Sequence, residues 1–313
     1  QKKKLINQKL KDDEESHLIF IGKKKMGKTY ENWIYQNYFT SDNQVLYMDN
    51  NVKLMKIGNP QINIDKDNKK IFITKEEANQ RVVFFGGKFD NWSIEMKDLT
   101  DIKDVKIYGL DRNNITGCLN FYDTQVKNLD LKFTNSTCED AINFVRVQGN
   151  IKRLEAINSY FDALDSDFSN LLFTNIIIEK SLNDCLDFSF GNYQVLNSKL
   201  SKCGDKAISA GEMSNLVVKN INISDSNLGV ISKDYARVKI SESAIFNVKY
   251  CFQAYNKKSE FSGGYLFGEK IKCKFNYKLV DFDNASKIIL DDNDYNFTMR
   301  KDLPVGKGEY NGI

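Results

Sequence analysis

The 313-residue sequence contains a single histidine, His17, and only two prolines, Pro60 and Pro304. His17 lies in a polar amino-terminal stretch and would have to act alone. This argues against a Ser-His-Asp or Cys-His relay and against a two-histidine zinc site. Any catalysis by this chain is therefore expected to use Asp, Glu, Lys, Arg or Tyr side chains.

Long apolar runs and a strong charge excess are also missing. No stretch reaches the roughly 18 consecutive apolar residues that a membrane-spanning helix needs, so the sequence predicts no membrane span. The 45 Lys and Arg residues nearly balance the 42 Asp and Glu residues, and nine of the lysines lie within residues 1–28. The remaining chain lacks the basic excess that recruits a polyanion, so we predict no nucleic-acid partner.

A short motif returns at constant spacing through the middle of the chain. Its small second residue advances by 22 positions each time: Ala141, Ala163, Cys185, Ala207, Gly229 and Cys251. The residue after it is always apolar: Ile142, Leu164, Leu186, Ile208, Val230 and Phe252. Alternation of inward and outward positions is typical of short strands, and 22 residues suit one coil of a parallel β-helix, in which each strand stacks on its copy.

The predicted fold is all-β, a right-handed parallel β-helix of about nine coils over residues 81–290. Residues 1–80 are predicted to form a small α/β cap or separate module, with an amphipathic helix over Thr29–Phe39 hiding the open edge. Residues 291–313 are predicted to be a carboxy-terminal tail. The segment from Gly22 to Thr29 matches the phosphate-loop pattern, but too few residues precede the repeat for a nucleotide-binding sheet, so we interpret it as a basic turn.

Carboxylates accumulate in the outward columns of three consecutive coils. Asp140, Asp162 and Asp184 share one column with Lys206, while Asn143, Asp165 and Asp187 share another with Ser209, and Asp167 adds a further position. At the spacing of stacked strands, each like-charged pair costs about 1 kcal/mol in water and more when it is buried. A shared proton, a neighbouring lysine or a bound divalent cation would relieve this repulsion. A solvated ladder of salt bridges is the alternative interpretation.

Around these residues the chain resembles polygalacturonases. The similarity follows Asp162, then Asn183-Asp184, then Gly204-Asp205-Lys206, and finally Ile231-Ser232-Lys233. In that family the matching positions are an Asp, an Asp-Asp pair, a His and an Arg-x-Lys. Here Asn183, Lys206 and Ile231 replace one Asp, the His and the Arg. This resemblance implies a hydrolase in which Asp162 and Asp184 are acid and base.

The same segment is similar to lysine-base pectate lyases, which share the fold. There the resemblance implies Ca²⁺ held by Asp162, Asp165, Asp184 and Asp187, because carboxylate oxygens suit this ion. Lys206 would be the base, with a pKa lowered by burial or nearby cations, and Lys233 or Arg237 would stabilise the developing charge. Lys206 is also expected to face outward, so that its removal would leave the melting temperature nearly unchanged.

The predicted function is binding, and cleavage or modification, of an acidic uronate-containing polysaccharide by this lyase-like mechanism. The predicted catalytic residues are Lys206, Asp184, Asp162 and Lys233, and the predicted substrate contacts are Arg237, Tyr255, Lys257 and Glu212. Two alternatives stay open, a polygalacturonase-like hydrolase and a non-catalytic glycan-binding or scaffold β-helix. We interpret the cysteines as unpaired core residues, because Cys185 and Cys251 stand three coils apart. Unpaired thiols favour a reducing compartment, whereas a polysaccharide substrate favours secretion or the cell surface.

Overall fold

A computed structural model describes residues 45–47, 49–101, 115–291 and 293–295. Their regular secondary structure consists of strands and one 3-10 turn at Asp49–Asn51, joined by short irregular corners. The strands are β1 Val45–Tyr47, β2 Lys53–Ile57, β3 Gln61–Asp65, β4 Lys70–Lys75, β5 Arg81–Phe85, β6 Lys88–Asp90, β7 Ser93–Asp98, β8 Gly117–Tyr122, β9 Gln125–Ser136, β10 Asp140–Val145, β11 Gln148–Ser159, β12 Asp162–Asp167, β13 Asn170–Thr174, β14 Ile176–Ser181, β15 Leu186–Ser189, β16 Asn192–Cys203, β17 Lys206–Gly211, β18 Asn215–Ser224, β19 Leu228–Lys233, β20 Arg237–Ser241, β21 Ala244–Tyr255, β22 Tyr265–Glu269, β23 Lys272–Phe282, β24 Lys287–Leu290 and β25 Asn293–Tyr295.

The strands stack in parallel into three faces that wind around one core. Face A runs through nine strands, in the order β5, β8, β10, β12, β15, β17, β19 and the second halves of β21 and β23. In this stack Asp140 pairs with Asp162, and Ile142 pairs with Leu164, 22 residues further on. The predicted parallel β-helix of about nine coils is therefore confirmed.

The core is built from the repeated apolar column and from aromatic side chains that stack between coils. Ile142, Leu164 and Leu186 are completely buried. The rings of Phe84, Phe121 and Phe144 follow one another with centroids 5.3 and 5.0 Å apart. Burial of each such side chain contributes roughly 1.5–3 kcal/mol, which explains why the column tolerates only apolar residues.

The corners between faces require left-handed backbone, which asparagine adopts more readily than most residues. At the corner from face C to face A, where face C contains β4, β7 and β14, Asn135 and Asn158 have φ angles of 59° and 65°. The Asn158 amide donates a hydrogen bond to the Asn135 side-chain oxygen at 2.8 Å. The abundance of asparagine thus reflects ladders that connect successive corners.

Antiparallel strands cover the ends of the parallel stack. β2 pairs with β5, β3 pairs with β4, and β25 pairs with β24. The predicted helix over Thr29–Phe39, the phosphate-loop pattern and His17 lie outside the described residues, and the boundary at residue 80 stays a prediction. Within the described ranges, no helix is long and apolar enough to cross a membrane.

The interpretation of the cysteines as unpaired is wrong. The structure contains three disulfides, Cys118–Cys138, Cys185–Cys203 and Cys251–Cys273, and leaves no free cysteine. Cys185 and Cys251 are indeed too far apart to pair with each other. Each is instead joined to a cysteine 18 or 22 residues later, which about one winding of the coil brings next to it. The sequence argument for a reducing compartment therefore falls away.

Candidate functional site

Six aspartates lie together on face A, and we call them the acidic wall: Asp140, Asp162, Asp165, Asp167, Asp184 and Asp187. They belong to β10, β12 and β15 or directly precede them. Parallel stacking places Asp140 beside Asp162, and Asp165 beside Asp187. The fold thus converts residues 22 apart in the chain into neighbours on one surface.

Backbone and amide donors fix the first column of the wall. Asp162 Oδ1 accepts hydrogen bonds from the Asn183 side-chain amide and from the Asp184 backbone N–H, both at 2.7 Å. One coil later, Asp184 Oδ1 accepts from the Lys206 backbone N–H at 2.9 Å. Each carboxylate therefore binds the start of the next coil, which holds its orientation independently of any ligand.

Lys206 lies at the end of this column, and its environment differs from the sequence expectation in two ways. Its side chain is only 12% exposed rather than facing freely outward. Its Nζ lies 3.3 Å from Asp184 Oδ1 and forms a second ion pair with Asp205. Burial lowers the pKa of Lys206, but these two carboxylates raise it by more, so that the net pKa lies above its usual range. The expected lowering of this pKa is therefore wrong.

Lys233 reaches the wall from two coils further along. Its Nζ lies 3.7 Å from Asp187 Oδ2, and its side chain is 5% exposed. The stem crosses Gly211, where a Cβ atom would stand only 2.7 Å from Lys233 Cε. Burial lowers the pKa of Lys233, yet Asp187 and Asp184 raise it overall. Lys233 is thus a fixed positive charge beside the carboxylates.

Burial raises the pKa of most carboxyl groups in the wall. It raises the pKa of Asp167 to about 7, with a further contribution from Asp187. The pKa of Asp184 rises to about 6 through burial, although Lys206 opposes the shift. Burial also raises the pKa values of Asp162 and Asp165 well above the ordinary range, helped by Asp184 and Asp167 respectively. Near neutral pH the wall therefore contains both protonated and ionised carboxyl groups.

Three of the four predicted cation ligands come together. One carboxylate oxygen each from Asp162, Asp184 and Asp187 lies within 4.8 Å of the others. Asp187 Oδ1 is buried and has no hydrogen-bond partner among the described residues. Asp165 stands beside Asp187 and accepts a hydrogen bond from the Asn143 amide at 3.2 Å. An oxygen-only donor set of this kind suits Ca²⁺, although Lys206 and Lys233 already compete for two of the carboxylates.

Of the predicted substrate contacts, Arg237 does not share the face of the acidic wall. The backbone turns at Asp234 and Tyr235, which have φ angles of 54° and 68°. Arg237 therefore begins β20 on face B, the next face along the chain, where it pairs with Asn215 and Tyr265 and is exposed. The expectation that Arg237 lies with the acidic residues is wrong.

Glu212, Tyr255 and Lys257 remain near the wall. Tyr255 follows Lys233 in the same column. Burial lowers the pKa of Lys257, and the charges of Lys233 and Lys206 lower it further. Glu212 is buried and accepts a hydrogen bond from the Ser189 hydroxyl. These residues line the side of the wall towards the carboxy-terminal coils.

Sequence reasoning missed the contribution of a long corner. Nine residues separate Tyr255 from β22, whereas two separate Asp167 from β13. The backbone N–H groups of Lys257 and Lys258 donate to Asp234 Oδ1 at 2.7 and 2.8 Å, and the Lys258 ammonium pairs with Glu212. In the sequence, this long corner is visible as a break in the 22-residue period after Tyr255. The Asp205 contact to Lys206 was also missed as a site interaction.

No protein-family model matches this chain, and no curated protein matches its sequence. Among solved structures, the full-length tailspike protein 2 of Escherichia coli O157:H7 bacteriophage CAB120 is similar, with a TM-score of 0.41 and 9% sequence identity. The similarity covers 80% of this chain and 45% of the tailspike chain. This chain therefore spans less than half of the length of that protein.

Proposed function

We propose that the acidic wall binds a polysaccharide and cleaves a glycosidic bond by acid–base catalysis through its carboxyl groups. The observation that carries this proposal is the concentration of six aspartates on neighbouring coils of one face. Glycoside hydrolysis requires two carboxyl groups in different protonation states, one to protonate the leaving oxygen and one to activate water or attack the sugar. Burial raises the pKa of Asp162 well above its ordinary range, whereas that of Asp184 rises only to about 6 because Lys206 opposes the shift, and this difference supports such a division.

The lysines have a binding role in this proposal. Because its pKa is raised, Lys206 keeps its proton near neutral pH and is a poor general base. Lys206 and Lys233 instead offset part of the negative charge and can donate hydrogen bonds to substrate oxygens. In this mechanism Asp162 and Asp184 take the acid and base roles that the hydrolase resemblance implies, and Asp165 and Asp167 extend the acidic surface.

The test is activity on a panel of neutral and acidic polysaccharides. We expect new reducing ends without the ultraviolet absorbance of an unsaturated uronate product. Asp184→Asn should lower kcat by at least about 100-fold, the usual range for loss of a general acid or base. Asp225→Asn is the matched control, since Asp225 lies outside the acidic wall, is exposed and bonds Asn247. Equal activity of both variants would contradict the proposal, and inactivity of the wild type on every polymer would favour a non-catalytic glycan-binding protein.

A cation-assisted lyase is the second candidate, and the clustered oxygens of Asp162, Asp184 and Asp187 favour it. A Ca²⁺ ion held there would supply electrostatic stabilisation of a uronate carboxylate. Lys257, whose pKa is lowered, fits the base role better than Lys206 does. We expect this mechanism to give unsaturated products that disappear with a chelator, and Ca²⁺ to raise the melting temperature of the wild type but not of Asp187→Asn.

A further inference from the structure

A pocket of about 360 Å³ lies at the corner between face C and face A. It is formed by four successive coils, through residues 98–100, 135–137, 158–160 and 180–182. The last three segments end two or three residues before Asp140, Asp162 and Asp184, so the pocket borders the acidic wall. Its volume falls within the roughly 300–1,000 Å³ of small-molecule sites.

A buried ion pair between Lys75 and Asp98 forms the floor of this corner pocket, and all three protons of the lysine ammonium are hydrogen-bonded. Lys75 is completely buried, and its ammonium donates to Asp98 Oδ2 at 2.9 Å, to the Thr100 hydroxyl at 2.8 Å and to the Thr137 hydroxyl at 2.7 Å. Each of the three ammonium protons of Lys75 therefore has its own acceptor. The charge of Asp98 is therefore neutralised by Lys75.

The rim of the pocket carries polar groups that lack protein partners. Within the described ranges, no residue donates to Asn158 Oδ1, none bonds the Tyr160 hydroxyl, and no carboxylate pairs with Lys180. By contrast, Lys202 at the same corner one coil further on pairs with Glu179 at 2.7 Å. Exposed leucine side chains, Leu99 and Leu182, add apolar surface.

Lys180 occupies a position at which asparagine would be the better structural choice. It lies in the column of Asn135 and Asn158 and has a φ angle of 64°, in the left-handed region that asparagine tolerates well. An asparagine there would continue the ladder by donating to Asn158 Oδ1. Lys202 holds the same left-handed position one coil further on, with a φ angle of 57°, but pairs with Glu179. Lys180 instead lines the pocket without a carboxylate partner among the described residues, so its charge is available to a ligand.

We propose that the corner pocket binds a pyranose ring that carries one anionic group. The Tyr160 ring and the leucines would contact the apolar face of the sugar, and Asn158 and the Tyr160 hydroxyl would bond its hydroxyls. Lys180 would pair with the anion, which is a carboxylate or a sulfate. The choice of a sugar as ligand rests on the proposed function of the neighbouring wall.

The test titrates glucuronate, glucose 6-sulfate and glucose into the full chain, with binding measured by NMR. We expect saturable binding of at least one charged sugar, with glucose about tenfold weaker or more, the loss expected when a charge-assisted hydrogen bond is missing. Lys180→Asn should fold at least as well as the wild type and bind all three sugars with similar weak affinity. Tyr160→Ala should weaken all three. The two charged sugars distinguish a carboxylate from a sulfate.

Lys202→Asn is the matched control and should bind as the wild type does. Any of three outcomes would overturn the pocket proposal. The Lys180 and Lys202 variants bind equally well, the wild type binds glucose as tightly as the charged sugars, or the wild type shows no saturable binding. Asp184→Asn separates the two sites, because it should retain pocket binding while losing cleavage. If the wild type binds none of the three sugars but both the wild type and Lys180→Asn cleave polysaccharide, the pocket proposal is refuted and the proposed function stands.

Discussion

At the scale of single residues, the acidic wall makes folding depend on pH. A carboxyl group whose pKa is higher in the folded than in the unfolded state binds more protons when folded, so stability falls as pH rises between the two values. For Asp167 that window runs from the ordinary 3.8 to about 7. The penalty that the wall imposes on folding therefore begins in mild acid, grows through this window and is complete only above neutral pH.

We expect the melting temperature to fall as pH rises from about 5 to about 8, because the wall must ionise while buried. Asp167→Asn should raise the free energy of unfolding at about pH 8 by about 1 kcal/mol and flatten the pH dependence. Thermal unfolding across this range is the measurement, with Asp225→Asn as the control, since a hydrogen bond from Asn247 lowers the pKa of Asp225. A melting temperature that rises with pH would contradict this prediction.

Lys206→Ala should destabilise the protein, contrary to the expectation from sequence. Its removal leaves Asp184, whose side chain is 4% exposed, without its nearest cation. Breaking such a pair costs about 3 kcal/mol, less for the part that solvent reaches. Lys202→Ala removes an exposed pair with Glu179 and should cost less than about 1 kcal/mol. Urea unfolding compares the two, and equal losses would show that Lys206 is not held by its ion pairs.

The columns of the wall could be predicted from sequence, but the protonation states could not. The 22-residue step places Asp140, Asp162 and Asp184 side by side, as the register shows. The depth of Lys206 and its contact with the adjacent Asp205 depend on side-chain packing at a corner, which a repeat pattern does not encode. The expected direction of the Lys206 pKa shift was therefore wrong, although the column in which Lys206 lies was predicted correctly.

At the scale of elements, the disulfides join cysteines that one winding of the coil brings next to each other. Cys185 lies just before β15, and its partner Cys203 ends β16, so the bond closes a segment of 18 residues. Cys185 and Cys251, whose spacing suggested unpaired cysteines, lie in one column. The correct pairs join different columns, and finding them requires the position of each corner rather than the period alone.

Replacing Cys185 and Cys203 together by alanine should lower the free energy of unfolding by about 3 kcal/mol, the loop-closure value for a segment of this length. Alanine already occupies the equivalent position at Ala163 and Ala207, so packing should change little. Denaturant unfolding measures the loss, and removing the Cys118–Cys138 pair in the same way provides a comparison. An unchanged stability would mean that the Cys185–Cys203 bond does not form in solution.

At the scale of the whole molecule, stability comes from contacts between neighbouring coils. Removing one complete repeat should therefore leave the other coils in register. Residues 228–249 are suitable, because Lys206 would then meet Tyr250, and Asn222 would meet Lys272, in the same alignment as before.

We expect the 22-residue deletion to fold with a β-type circular dichroism spectrum and one cooperative transition. Its stability should be lower by on the order of a few kcal/mol. A 21-residue deletion, residues 230–250, is the control, because it joins the chain inside a strand one residue out of register and turns the buried Phe252 outward in that strand. If both deletions behave alike, the coils are not interchangeable units.

The nine-residue corner after Tyr255 shows that added chain length leaves the stacked strands undisturbed. A protein engineer could therefore graft a foreign peptide onto one corner and a second peptide onto another. Their separation along the axis would be selectable in steps of about 4.8 Å. The molecule would then hold the two peptides at a chosen distance from each other.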